Sequence, residues 1–224
     1  MNMKNITLVT IADACGGRLC GTDGMAQERL REEASCVVID SRKIEKGGIF
    51  IATRGEKVDG HEFIPSVAQK GALGVICERA PKDCRIPYVL VEDSFKALKD
   101  LAEFYRMQLT LPVVGITGSV GKTSTKEFIA SVLSQKFRVL KTQGNFNNEV
   151  GLPLTVLSIR KEHQAAVLEM GISDFGEMHR LSRIARPDVC LITNIGQCHL
   201  ENLGTRDGIL RAKSEIFDFM QEGG

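Results

Sequence analysis

Apolar and polar positions follow two textures along the chain. From the N-terminus to Leu109, short apolar runs alternate with turn residues. Gly48-Ile49-Phe50-Ile51-Ala52 is a continuous apolar run of strand length. Asp59-Gly60-His61 is turn chemistry, and a helix-like run follows from Glu62 to Lys70. Leu73 to Cys77 and Tyr88 to Val91 predict two more strands, and Ser94 is placed to cap a helix from Phe95 to Met107. Leu111-Pro112 marks the boundary with a more regular second half.

There, Val113 to Thr117 is a β-branched buried strand, followed by a glycine-rich turn and a helix from Thr123 to Gln135. A weaker strand at Arg138 to Lys141 precedes a polar loop, Thr142 to Glu149, and a helix over Val150 to Ile159. Ala165 to Met170 is a strand, Phe175 to Ile184 a helix, and Asp188 to Ile195 a strand after Pro187. Arg206 to Met220 predicts a final helix. Strands alternating with helices predict an α/β fold: a small N-terminal α/β domain over residues 1–109, then a doubly wound parallel sheet over 110–224.

Composition narrows the functional classes. With 29 basic and 28 acidic residues the net charge is +1, so the basic footprint of a nucleic-acid binder is missing. There is no tryptophan, and aromatics make up 5%, which argues against base-stacking platforms. The seven cysteines (Cys15, Cys20, Cys36, Cys77, Cys84, Cys190 and Cys198) include no C-x-x-C pair. They read as small buried hydrophobes of a reducing cytosol. No stretch approaches the ~20 apolar residues of a membrane span, and Ile6 to Ile11 is poor signal-peptide material. A cytoplasmic protein without membrane insertion is expected.

Gly115-Ile116-Thr117-Gly118-Ser119-Val120-Gly121-Lys122-Thr123 is the sharpest local signal. A buried strand, a glycine-rich turn and Lys-Thr opening a helix suit a phosphate chain: backbone N–H groups and the helix N-terminus face the anion. Lys122 would reach the β/γ-phosphates and the Thr123 hydroxyl a Mg2+ ion. The motif is shorter than the common G-x-x-x-x-G-K-[ST], since Ile116 stands where its first glycine would fall. In a parallel sheet, ligands sit beyond the carboxyl ends of the strands. Glu169 stands at one such end, where a carboxylate suits a metal or merely meets solvent. His199 lies just past another, with a structural role equally open. Lys213, read alone, is an ordinary surface lysine.

Together these stretches resemble the Mur ligases over nearly the whole chain. The carriers are GITGSVGKTST from Gly115 to Thr125, Gly144-Asn145-Phe146-Asn147-Asn148-Glu149-Val150-Gly151-Leu152-Pro153, Leu168-Glu169-Met170-Gly171, and Thr193-Asn194-Ile195-Gly196 with His199-Leu200-Glu201. In the first half they are Asp40-Ser41-Arg42, Gly47 to Ala52 and Asp59-Gly60-His61. Within the family the pattern is similar to the member that adds D-alanyl-D-alanine to UDP-N-acetylmuramoyl-tripeptide. The resemblance implies ATP-dependent amide formation through an acyl phosphate, with ATP and Mg2+ required. It implies a nucleotide loop of Gly118, Ser119, Val120, Gly121, Lys122, Thr123 and Ser124. It also implies metal ligands Thr123, Glu169, His199 and a carbamylated Lys213, with Lys122, His199 and Lys213 serving catalysis. Asn147 and Asn148 would face nucleotide and substrate, and Ser41 and Arg42 the uridine diphosphate. The family's C-terminal Rossmann-like domain has no counterpart here and the central sheet would be incomplete, so the chain alone is expected to be inactive. Two alternatives stay open: another ligase of the wider family, including the folylpolyglutamate type, or a non-catalytic nucleotide-binding fragment. A GTPase is disfavoured because no guanine-reading N-K-x-D occurs.

Overall fold

The structure is a computed structural model and describes residues 2–82 and 85–221. Cys84 and the terminal Gly223-Gly224 therefore lie outside the described residues. The chain divides into two compact units, Met1–Tyr105 and Arg106–Gly224.

The first unit is a five-stranded sheet in the order β1-β5-β4-β3-β2: Arg18–Cys20 (β1), Val37–Val38 (β2), Ile49–Ile51 (β3), Gly74–Cys77 (β4) and Tyr88–Leu90 (β5). All neighbours are parallel except β1 on β5. β3 and β4 are buried at every residue, because helices cover both faces and leave no polar side to alternate with. Phe50, Val75 and Cys77 pack with Ile64 and Val67 of α3 (Ile64–Gln69) in one cluster. Two helices escape the apolar pattern: α1 (Leu8–Ala14) and the short α2 (Gln27–Leu30). α1 is fixed by its cap, in which Thr7 Oγ1 accepts from Thr10 N–H and Thr10 Oγ1 from Thr7 N–H.

Helix α4 (Ser94–Arg106) corrects the expected cap. Asp93 Oδ1 accepts from the N–H groups of Phe95 (2.8 Å) and Lys96 (3.0 Å), so Asp93 is the N-cap. Ser94 is fully buried, and its hydroxyl donates instead to Ala52 O at 2.9 Å.

The second unit is a four-stranded, wholly parallel sheet in the order β7-β8-β6-β9, from Val113–Thr117 (β6), Val139–Lys141 (β7), Ala165–Glu169 (β8) and Val189–Ile192 (β9). β8 is buried throughout, whereas β9 forms a sheet edge. Helices α5 (Lys122–Leu133), α6 (Gly151–Leu157) and α7 (Glu177–Ala185) flank the sheet. The short α8 (Leu200–Leu203) leads into α9 (Arg206–Ser214). The expected final helix ends earlier, at Ser214; a 3-10 turn over Glu215–Phe217 follows and buries Ile216. Arg106 locks the foot of this unit: its guanidinium donates to the carbonyls of Ala185 (2.7 Å), Leu109 (2.9 Å) and Arg186 (2.8 Å).

Candidate nucleotide site

Register places the chemistry. Ile116 pairs with Glu169 and Thr117 with Ile192, so β6, β8 and β9 end together at one edge of the sheet. The phosphate loop leaves β6 at that edge. Gly121 adopts φ +82°, a left-handed conformation that turns the chain into α5. Gly118 adopts φ +143°, and a Cβ on it would stand 1.9 Å from Thr193 Oγ1. Both positions therefore demand glycine, one for the turn and one for the close approach.

A second segment, Thr193 to Cys198, clasps the loop. Thr193 Oγ1 donates to Val120 O (2.6 Å). Asn194 accepts Ser119 N–H on its carbonyl and Val120 N–H on its side-chain oxygen, each at 3.1 Å. Ser119 Oγ accepts from Gly196 N–H (2.9 Å) and from the Cys198 thiol (3.1 Å). The predicted strand to Ile195 stops at Ile192 because the next residues turn to make these contacts.

Across the loop, Lys122 Nζ donates to Gly118 O at 2.7 Å. One residue on, Thr123 Oγ1 donates to Glu169 Oε2 at 3.0 Å. Glu169 is buried, and its other oxygen accepts from Asn147 Nδ2 at 2.8 Å. Asn147 is held in turn by Gly171 N–H on its carbonyl, where the missing Cβ of Gly171 leaves room for the amide. Asn148 has a different task. Its side-chain oxygen accepts from Val150 N–H (3.2 Å) and Gly151 N–H (2.8 Å), closing the entry to α6.

Lys213 is 1% exposed and makes no hydrogen bond or ion pair with the other described residues. Burial lowers its pKa; the nearby Cys198 opposes that shift and Lys122 adds to it. The surface lysine of the sequence reading is thus a buried one at the nucleotide edge. His199 is exposed at the start of α8, in a left-handed backbone conformation at φ +53°. Ser124 is exposed on the first turn of α5. In the first unit, Ser41 and Arg42 follow the carboxyl end of β2. The Arg42 guanidinium grips Asp40 through both oxygens (2.9 and 2.8 Å) and holds that carboxyl down at about pH 2.

Three groups have roles that the sequence does not assign. Lys126 is 2% exposed and donates to Thr142 O at 2.8 Å beside Glu169. Its one signal was a lysine on the inner face of α5, three residues after Thr123. Thr193 and Asn194 stand in a stretch that carries the family resemblance, but nothing in it marks them as a clasp on the loop. The buried His61 receives Glu78 N–H on Nε2 (2.9 Å), which sets the tautomer that donates from Nδ1 to Asp59 (2.7 Å).

The donor set fits a phosphate chain with a hard divalent cation. A glycine cradle, the N-terminus of a twelve-residue helix and Lys122 stand together at this strand end, as an anion would need. Thr123 and Glu169 offer oxygen ligands to the cation. Thr117 Oγ1 is buried at the loop's root without a partner among the described residues. No group of three His, Cys, Asp or Glu side chains among the described residues would hold a metal unaided. The cation would rely on Thr123, Glu169 and the phosphates.

Fold and site together define a P-loop, nucleotide-binding α/β protein. Family models sharpen this: "Mur ligase middle domain" matches residues 116–224, and "Mur ligase family, catalytic domain" matches 33–106. The chain belongs to the Mur ligase family. It is 45% identical over 192 residues to the UDP-N-acetylmuramoyl-tripeptide--D-alanyl-D-alanine ligase of Bacillus subtilis, covering 84% of this chain and 42% of that protein. It matches a crystal structure of MurF from Acinetobacter baumannii with a TM-score of 0.88 and 40% identity, over 100% of this chain and 48% of that one. The MurF ligase of Thermotoga maritima, solved in complex with ADP, matches at a TM-score of 0.75 and 40% identity, over 84% of this chain and 44% of that one. The chain thus spans about half the length of the relatives it matches. Among the described residues, no helix is long and apolar enough to cross a membrane.

Proposed function

We propose that this chain carries the uridine-nucleotide and ATP sites of a cytoplasmic ligase that joins D-alanyl-D-alanine to UDP-N-acetylmuramoyl-tripeptide. Residues 1–109 would hold the uridine nucleotide and 110–224 the ATP. The reading is carried by one observation: the phosphate-loop residue Thr123 and the Asn147 of the N-F-N-N-E stretch meet on the buried Glu169. ATP would supply a phosphoryl group to turn the peptide carboxylate into an electrophile, and Mg2+ would offset the charge of the two anions brought together. Lys122 would stabilise the phosphoryl oxygens from beside Gly118. Thr123 and Glu169 would hold the metal, and Asn147 would orient the Glu169 carboxylate.

Lys213 and His199 have different standing in this reading. Lys213 is a buried amine with a lowered pKa and no hydrogen-bond partner among the described residues, which suits conversion to the carbamate, a carboxylate-like metal ligand. His199 would complete the metal shell from the rim. Ser41 and Arg42 would contact the uridine diphosphate once Arg42 leaves Asp40. Calorimetric titration of the chain with UDP-N-acetylmuramoyl-tripeptide, against UDP as control, tests the proposal. Tighter binding of the peptide-linked nucleotide is expected. No binding by a chain shown by circular dichroism to be folded would overturn it.

A further inference from the structure

Lys126 takes no part in the chemistry above, yet a buried ammonium is costly unless its surroundings repay it. It lies three residues beyond Thr123 on α5, with its ammonium between the carboxyl ends of β7 and β8. It donates to Thr142 O at 2.8 Å, stands 3.3 Å from Glu127 Oε1, and stands 3.9 Å from Glu169 Oε2. Thr142 is itself buried, and its hydroxyl accepts the backbone N–H of Glu169 at 2.9 Å. The lysine and Glu169 therefore share Thr142: one holds its carbonyl, the other its hydroxyl. The same Glu169 oxygen that faces Lys126 also receives the Thr123 hydroxyl.

We infer that Lys126 is a positioning residue for the cation site, an inference that rests on the nucleotide reading above. Its ammonium ties the ends of β7 and β8 together through Thr142. It fixes Glu169 Oε2 toward Thr123, where a divalent cation needs an oxygen already in place. A lysine serves because its long stem carries one charge to Thr142 O, which it hydrogen-bonds, while that charge stands beside the carboxylates of Glu127 and Glu169. Partners that orient a metal ligand typically contribute ten- to hundredfold in metal affinity. The lysine is too deeply held to swing onto a phosphate, which separates its role from that of Lys122.

The test is the gain in ADP affinity on adding Mg2+, measured by calorimetry on the wild-type chain and on Lys126→Met. In the variant, metal-free ADP binding should stay within about twofold of wild type, while the Mg2+-dependent gain falls about tenfold or more. A general loss of fold would weaken both numbers, so their ratio isolates the positioning effect. An unchanged gain would overturn the inference. So would tighter Mg2+ binding, which would make Lys126 a mere competitor of the cation. Should Lys126→Met fail to fold, Thr142→Val keeps the shape and the carbonyl but removes the hydroxyl that anchors Glu169. It should lose about threefold or more of the gain, and no loss would be decisive against the network. A wild-type chain that binds no ADP, or shows no Mg2+ gain, would instead defeat the nucleotide reading and this inference with it.

Discussion

Gly118→Ala tests whether the phosphate loop is held in shape by the clasp of Thr193. The added Cβ would lie 1.9 Å from Thr193 Oγ1, and 3.1 Å from both Thr193 Cβ and Thr193 N. Rotating the hydroxyl away removes the worst contact but forfeits its 2.6 Å bond to Val120 O, at about 1 kcal/mol. The φ of +143° adds strain of about 1–3 kcal/mol for a residue with a side chain. The sum, about 2–4 kcal/mol, exceeds what a solvent-facing loop can absorb in place, so the loop should shift and its N–H groups should leave the phosphate positions. At 1.4 kcal/mol per tenfold, ADP affinity should fall by about 30-fold or more. Calorimetry with Mg-ADP measures the loss, and urea denaturation reports the accompanying destabilisation. Adding Thr193→Ala to Gly118→Ala removes the clashing oxygen and should restore part of the affinity while the backbone strain remains. A Gly118→Ala chain with wild-type ADP affinity and wild-type stability would refute the argument from close approach.

Arg106→Met should destabilise the chain by about 2–4 kcal/mol, because three backbone carbonyls lose their donor together. The urea midpoint measures it, and a loss below about 1 kcal/mol would mean that water replaces the guanidinium. The acid limb of stability should trace to Asp40 and Asp59. Burial works against ionised Asp59, but hydrogen bonds from His61 and Arg79 outweigh it and lower the pKa. Arg42 lowers that of Asp40 from 3.8 to about 2. Groups with depressed folded-state values stabilise fully above their unfolded pKa, and the benefit disappears as pH falls through the folded value. Stability should therefore decline from about pH 4 toward pH 2, and Asp59→Asn should flatten that decline in thermal melts; an unaltered acid limb would refute the assignment.

The alternation of apolar runs determined that two α/β units follow one another, because fully buried parallel strands leave continuous apolar segments at strand length. The phosphate loop was equally legible: Gly118, Gly121 and Lys-Thr at the head of α5 are local requirements of one strand-turn-helix, and local requirements are written locally. What escaped was set by distant partners. Ser94 looked like a cap, but Ala52 O claimed its hydroxyl and the neighbouring Asp93 capped the helix. Asn147 and Asn148 were indistinguishable in sequence; folding gave one to Glu169 and the other to the entry of α6. Lys213 read as an ordinary surface lysine and Lys126 drew no reading at all, since a helix face carries no mark of what will cover it. Only the register of β6 on β8, with Ile116 opposite Glu169, set Thr123, Glu169 and the buried lysines at one sheet edge. Strand pairing joins residues about fifty positions apart, and its energy comes from packing that no local window contains.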